Sequence, residues 1–173
     1  MQFQLTQAVD VLRRTPNVLR AMLSDIGDCW ALSSYGKDTF NPFDVVGHLI
    51  HGERTDWIPR VRIILEHGES RPFDPFDRYA QYEDSKGKTL SELLDTFEML
   101  RTENVNALNS MPLTQEQLAL RGTHPELGPV TMEQLLAVWV AHDLNHIHQI
   151  AKCMAYQYKE ESQPWADYQG VFK

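Results

Sequence analysis

Residues 131–158 read TMEQLLAVWVAHDLNHIHQIAKCMAYQY, and this stretch decides the fold. Thr131-Met132-Glu133-Gln134 has the form of a capping box, so a long helix opens at Thr131 and runs to about Tyr158. Leu135, Trp139, His142, His146 and Ile150 fall on one stripe of that helix. Apart from the two histidines the stripe is apolar, so it faces a core. Four residues turn a helix by about 400°, which leaves the His142 and His146 rings about 40° apart and one turn from each other. Buried imidazoles without partners are costly. A divalent metal ion shared by both rings supplies a partner.

Working outward, the same 3.6-residue periodicity recurs along the chain. Thr15-Pro16 reads as an N-cap and first helical position, which breaks the N-terminal helix and restarts it. Leu19, Met22 and Leu23 follow on an apolar face that ends near Gly27. Asn41-Pro42 opens a second long helix, expected to reach about His67 before Gly68 and to kink or split at Pro59. Residues 70–88, rich in Pro, Asp, Arg and Gly, read as a long surface loop. Thr89-Leu90-Ser91-Glu92 is another capping box and opens a third long helix, with Leu93, Leu94, Phe97, Leu100, Val105 and Leu108 on its apolar face. It ends around Met111-Pro112, with a short turn of helix at 114–120. Residues 121–130 hold two Gly and two Pro and read as a connector. The tail, with Trp165, Tyr168 and Phe172, is expected to pack on the bundle or on a partner. Four long helices and no evident strand hairpin predict an all-α four-helix bundle, one domain over residues 1–173, with a long loop between the second and third long helices.

A third metal ligand has to come from another helix. His48 lies in the apolar run Val45-Val46-Gly47-His48-Leu49-Ile50 and is the first choice. Gly47 beside it permits close approach by a neighbouring helix. His51, one turn further, is the rival, in surroundings made wetter by Gly52, Glu53, Arg54 and Asp56. Three neutral imidazoles leave coordination positions open for water or substrate, the pattern of a catalytic site. The alternative for each histidine is a hydrogen-bonded core residue. Asp143 stands where the zinc-protease His-Glu-x-x-His helix carries its Glu, one methylene shorter, so a protease is not expected. Asp143 is expected to form a salt bridge or to orient a histidine. His51, Glu53 and Asp143 are the candidates for proton transfer. His148 points away from this face, His124 sits on a loop, and His67 lies near a helix C-terminus. Trp57, Trp139 and Tyr79 could line an apolar pocket.

Charge narrows the possible partners. With 24 acidic and 16 basic residues the net charge is −8, which disfavours phosphate backbones and hence nucleic acid. No apolar run is long enough to cross a membrane, and no cationic amphipathic segment suggests a membrane surface. The N-terminus lacks the pattern of a signal peptide, which leads to the expectation of a cytoplasmic protein. The two cysteines, Cys29 and Cys153, lie far apart without CxxC spacing and fit a reducing compartment.

These motifs resemble the DinB/YfiT-like family of four-helix metalloproteins. The resemblance rests on residues 41–49, NPFDVVGHL, followed by Glu53, and on residues 142–150, HDLNHIHQI. Residues 124–131, HPELGPVT, resemble the family's connector into its last helix. The family's one histidine in the second helix and His-x-x-x-His pair in the last map onto His48, His142 and His146. The resemblance implies a divalent ion, zinc or nickel, at this triad and a homodimer. It also implies kinship with thiol-dependent transferases and isomerases that act with a low-molecular-weight thiol on a small electrophile. Hydrolysis at the metal is an alternative, as is a non-enzymatic, stress-related protein that binds a metal or small ligand.

Overall fold

The computed structural model describes residues 2–173. The chain runs through α1 (Leu5–Leu12), α2 (Thr15–Leu23), α3 (Asp28–Ala31), α4 (Pro42–Thr55), α5 (Trp57–His67), α6 (Ala80–Ser85), α7 (Leu90–Ser110) and α8 (Gln115–Leu118). Strands β1 (Arg121–His124) and β2 (Gly128–Thr131) follow, then α9 (Met132–Tyr156) and two short 3-10 turns. The α1–α2 pair, the α4–α5 pair, α7 and α9 form the four-helix bundle, with α4 packed on α7 and α9 on α1, α4 and α5.

Side-chain caps set where the long helices begin. Asn41 and Asp44 at α4, Thr89 and Glu92 at α7, and Thr131 and Gln134 at α9 all close capping boxes. Pro59 splits α4 from α5 as expected, but the break lies upstream of it, at Asp56. A proline ring clashes with the carbonyl four residues earlier, and that residue is Thr55, the last of α4. The N-terminal break occurs where Thr15-Pro16 predicts it. Thr15 is nevertheless not the cap: Arg14 takes that position without a side-chain bond, and the Thr15 hydroxyl donates instead to Asp143 Oδ2 at 2.6 Å.

Two segments differ from the sequence expectation. The 121–130 connector is a β-hairpin, paired Arg121↔Thr131 through His124↔Gly128. Gly128 takes φ 74° at the turn, and His124 Nδ1 accepts from the backbone N–H groups of Glu126 and Leu127 at 3.1 and 3.2 Å. Pro129 is tolerated because β2 is an edge strand. Residues 70–88 are not a surface loop throughout. Phe73, Gln81 and Ser85 are buried, and residues 80–85 form α6 against α4. The Phe73 N–H donates to the Thr123 carbonyl at 2.9 Å, so the segment is tied to the hairpin.

The apolar core divides into two clusters. One gathers Leu12, Trp57, Val61, Val105, Leu136 and Trp139; the other gathers Leu19, Val45, Leu49, Leu93, Phe97 and Ile150. Burial of each such side chain contributes about 1.5–3 kcal/mol. In the tail, Phe172 packs on Tyr156 at 5.6 Å between ring centroids, while Trp165 and Tyr168 stay exposed. No helix is long and apolar enough to cross a membrane.

Candidate metal centre

α4 and α9 bring His48, His142 and His146 together, with one ring nitrogen of each inside a 4.8 Å cluster. Among the described residues this is the one such group of potential metal ligands. Nε2 of His142 lies 3.2 Å from Nε2 of His48 and 3.1 Å from Nε2 of His146. Nitrogens at 2.0–2.1 Å from a tetrahedral ion are separated by about 3.3 Å. The cluster is therefore close to the edge lengths that such an ion imposes.

The donor set also fits an ion better than it fits itself. A ring nitrogen carries either one hydrogen or one lone pair, so Nε2 of His142 completes one good hydrogen bond and not two. It nonetheless faces two nitrogens. A cation at the centre satisfies all three lone pairs. The rings are held neutral, as ligands must be. Burial, reinforced by the neighbouring histidines, lowers His48 to about 3 and His142 to about 2. Burial lowers His146 as well, against the pull of Gln149.

Packing aims the rings. His48 lies between Phe40 and Phe76, at 5.6 and 5.3 Å between centroids, and His142 meets Trp57 edge-on at 5.2 Å. Nδ1 of His146 is 2.8 Å from Gln149 Oε1, the outer contact that fixes a ligand's tautomer. Nδ1 of His48 and of His142 are buried without a protein partner. Gly47 lets the short helix α6 approach α4 here, since a Cβ at that position would meet Ser85 Oγ at 2.6 Å. The triad opens into a cleft of about 420 Å³, shared with Tyr35, Asp38, Thr39 and Arg78.

The proton-transfer candidates lie elsewhere. His51 is buried, not wet: its ring packs on Phe76 at 4.9 Å, and Nδ1 is 4.0 Å from Asp84 Oδ2. Gly52 and Glu53, expected to hydrate it, are themselves buried. Glu53 and Asp143 point into the bundle and share Arg101. Its guanidinium reaches Glu53 Oε1 at 2.8 Å, both Asp143 oxygens at 2.5 and 2.9 Å, and the Leu12 carbonyl at 2.9 Å. Asn104 and the Trp139 indole also donate to Glu53. Burial would lower the arginine pKa, but the two carboxylates hold it above its ordinary value. Asp143 thus forms the salt bridge and orients no histidine. Arg101 was not among the sequence candidates, although it interrupts the apolar stripe of α7 between Phe97 and Val105.

The remaining marked residues sit apart from the triad. His148 and His67 are exposed. His124 ends β1 rather than lying in a loop, and with Trp57, Phe73 and Val138 it lines a second, apolar cleft of about 480 Å³. Trp139 is fully buried, stacked on Trp57 at 5.4 Å, and Tyr79 is exposed. Cys29 is exposed and Cys153 buried, both unpaired. Burial pushes the Cys153 thiol up to about 11.

No curated protein matches the chain. Among solved structures, YfiT from Bacillus subtilis superposes with a TM-score of 0.77 at 25% identity, covering 89% of this chain and 87% of that one. It is described as a probable metal-dependent hydrolase with an unusual four-helix bundle topology. The family model of the DinB superfamily matches residues 11–150, a span that includes all three clustered histidines and both capping boxes that open their helices, and the chain belongs to that superfamily.

Proposed function

We propose that His48, His142 and His146 hold one divalent ion, zinc or nickel, and that the chain transfers a low-molecular-weight thiol to a small electrophile. The observation that carries this reading is the convergence of three Nε2 atoms on the wall of an open cleft, with the Glu53 and Asp143 carboxylates turned away from it. A divalent ion there would act as a Lewis acid and lower the pKa of a thiol or water in its open position. Glu53 and Asp143 are committed to Arg101 and cannot take a proton from the cleft. Chemistry that needs no proton acceptor at Glu53 or Asp143 is favoured. A thiol, with an ordinary pKa near 8.5, ionises with far less help than water. The neutral imidazoles hold and orient the centre, and the Phe40, Phe76 and Trp57 rings pack against them.

Hydrolysis is the second reading, favoured by the description of the Bacillus subtilis protein. Asp38, which lines the cleft, is then the group placed to accept a proton from water.

Elemental analysis of protein purified without a metal-affinity tag tests the centre. About one divalent ion per chain is expected, lost in His142→Ala and His146→Ala while helical circular dichroism persists. Absence of metal after incubation with zinc and nickel would overturn the reading. On the loaded protein, thiol-dependent consumption of an electrophile should exceed that with His48→Ala. Ester cleavage that is independent of thiol and is lost in Asp38→Asn would move the assignment to hydrolysis.

A further inference from the structure

Arg78 lines the same cleft as the three histidines. The segment that carries it is anchored by Phe76 and turned by a local hydrogen bond. Phe76 packs its ring on His48 and His51, at 5.3 and 4.9 Å, and the Tyr79 N–H donates to Asp77 Oδ1 at 2.9 Å. Arg20, Arg54, Arg60, Arg71 and Arg101 each pair with a carboxylate, whereas Arg13, Arg14, Arg62, Arg78 and Arg121 do not, and of these five Arg78 is the one that lines the histidine cleft. Arg78 is exposed at the cleft and, among the described residues, has no ion pair. Asp38 lines the cleft too, but does not pair with it. An unpaired guanidinium beside a centre built for a divalent cation concentrates positive potential in one concave site. That potential is lowered by an anionic ligand. The planar fork of a guanidinium matches a carboxylate in shape as well as charge.

We propose that Arg78 anchors a carboxylate of the molecule that reaches the three-histidine centre, so that the site selects small carboxylate-bearing ligands over their neutral counterparts. This rests on the reading of the cleft as the reaction site. Phe76 and the Asp77 turn hold the arginine's backbone, and its side chain spans to the ligand. One charge-assisted contact of this kind corresponds to about a tenfold preference in affinity.

Calorimetric titration with two matched pairs tests this. One pair is 3-mercaptopropionate and 3-mercaptopropionamide; the other, without a thiol, is 3-phenylpropionate and its amide. Each is titrated into wild type, Arg78→Gln and Arg78→Lys, both metal-loaded and metal-stripped. The carboxylate of at least one pair should bind about tenfold more tightly to wild type. The preference should vanish in Arg78→Gln and survive in part in Arg78→Lys. Confinement to the first pair assigns the carboxylate to the thiol, and confinement to the second assigns it to the acceptor. No measurable carboxylate binding, equal affinities within both pairs, or a preference that persists in Arg78→Gln would overturn the proposal. Failure of the metal reading shows separately, as absence of metal in the elemental analysis, and leaves the metal-stripped titrations to judge Arg78.

Discussion

Arg101 shows how one residue binds the bundle together. Its side chain is 1% exposed, and both carboxylates it holds are 0% exposed. Removing one partner of a buried ion pair leaves uncompensated charge, at a cost of about 3–5 kcal/mol. Arg101→Met should therefore lower the urea-unfolding free energy by about that amount. Adding Glu53→Gln and Asp143→Asn should restore most of it, because the remaining groups are then neutral. A loss of under about 1 kcal/mol in the single variant would mean that the carboxylates find water or protons elsewhere. Single residues were legible in the sequence where local pattern fixes their direction. His142 and His146 lie on an apolar stripe, so their inward orientation follows from spacing, and His48 is preferred to His51 because the run around it is apolar. Thr15 looked like a cap because Thr before Pro commonly is one. Its hydroxyl is claimed by Asp143, 128 positions away, and no local pattern carries that information. Arg101 carried a signal, a charge inside an apolar stripe, but its two partners become visible only when α4 and α9 close on α7.

At the scale of elements, legibility followed length. The long helices declared themselves through capping boxes and repeated turns. The hairpin did not, because β1 and β2 have four residues each and hold two glycines and a proline. Short strands give no periodicity to count, and Gly and Pro argue locally for a loop. What makes the hairpin is tertiary contact. A Cβ on Gly122 would lie 2.7 Å from the Phe73 ring and 2.8 Å from Ile64. Phe73 thus seats the hairpin on α5, and its burial, with Phe76 packed on His48 and His51, is why residues 70–79 are not a free surface loop. Gly122→Ala should force these neighbours apart and destabilise the protein by about 1–3 kcal/mol, the usual range for overpacking. Phe73→Leu on the same background should recover part of the loss. Thermal unfolding of the two variants checks this. A Gly122→Ala protein as stable as wild type would show that the hairpin rides loosely on the bundle.

Across the whole molecule, one polar layer separates the two apolar clusters. Thr15 stands between Leu12 and Leu19, Glu53 between Leu49 and Trp57, Arg101 between Phe97 and Val105, and Asp143 between Trp139 and Ile150. α2, α4, α7 and α9, one from each arm of the bundle, contribute one member each. Their bonds are directional, so they fix the register of the four helices, and with it the meeting of His48 on α4 with His142 and His146 on α9. The histidines are thus assembled neutral before any ion arrives, and this has a consequence for metal-stripped protein. In the unfolded chain these rings titrate near 6.5; in the folded chain burial lowers His48 to about 3 and His142 to about 2. Between those values the unfolded chain binds protons that the folded chain refuses. The stability present above pH 6.5 is therefore lost as pH falls, by up to about 1.4 kcal/mol per unit for each ring. Asp56 works in the opposite sense. Burial raises it to about 6, so the folded chain takes up a proton early and regains stability between there and pH 3.8. For His48 alone the loss between pH 7 and pH 5 is about 2 kcal/mol. Urea unfolding of chelator-treated wild type and His48→Gln at both values measures it, and the drop should be smaller in the variant by about that amount. Equal drops would mean that the His48 ring is charged and hydrated in the folded chain, and the three nitrogens would then not be a ligand set preformed by the fold.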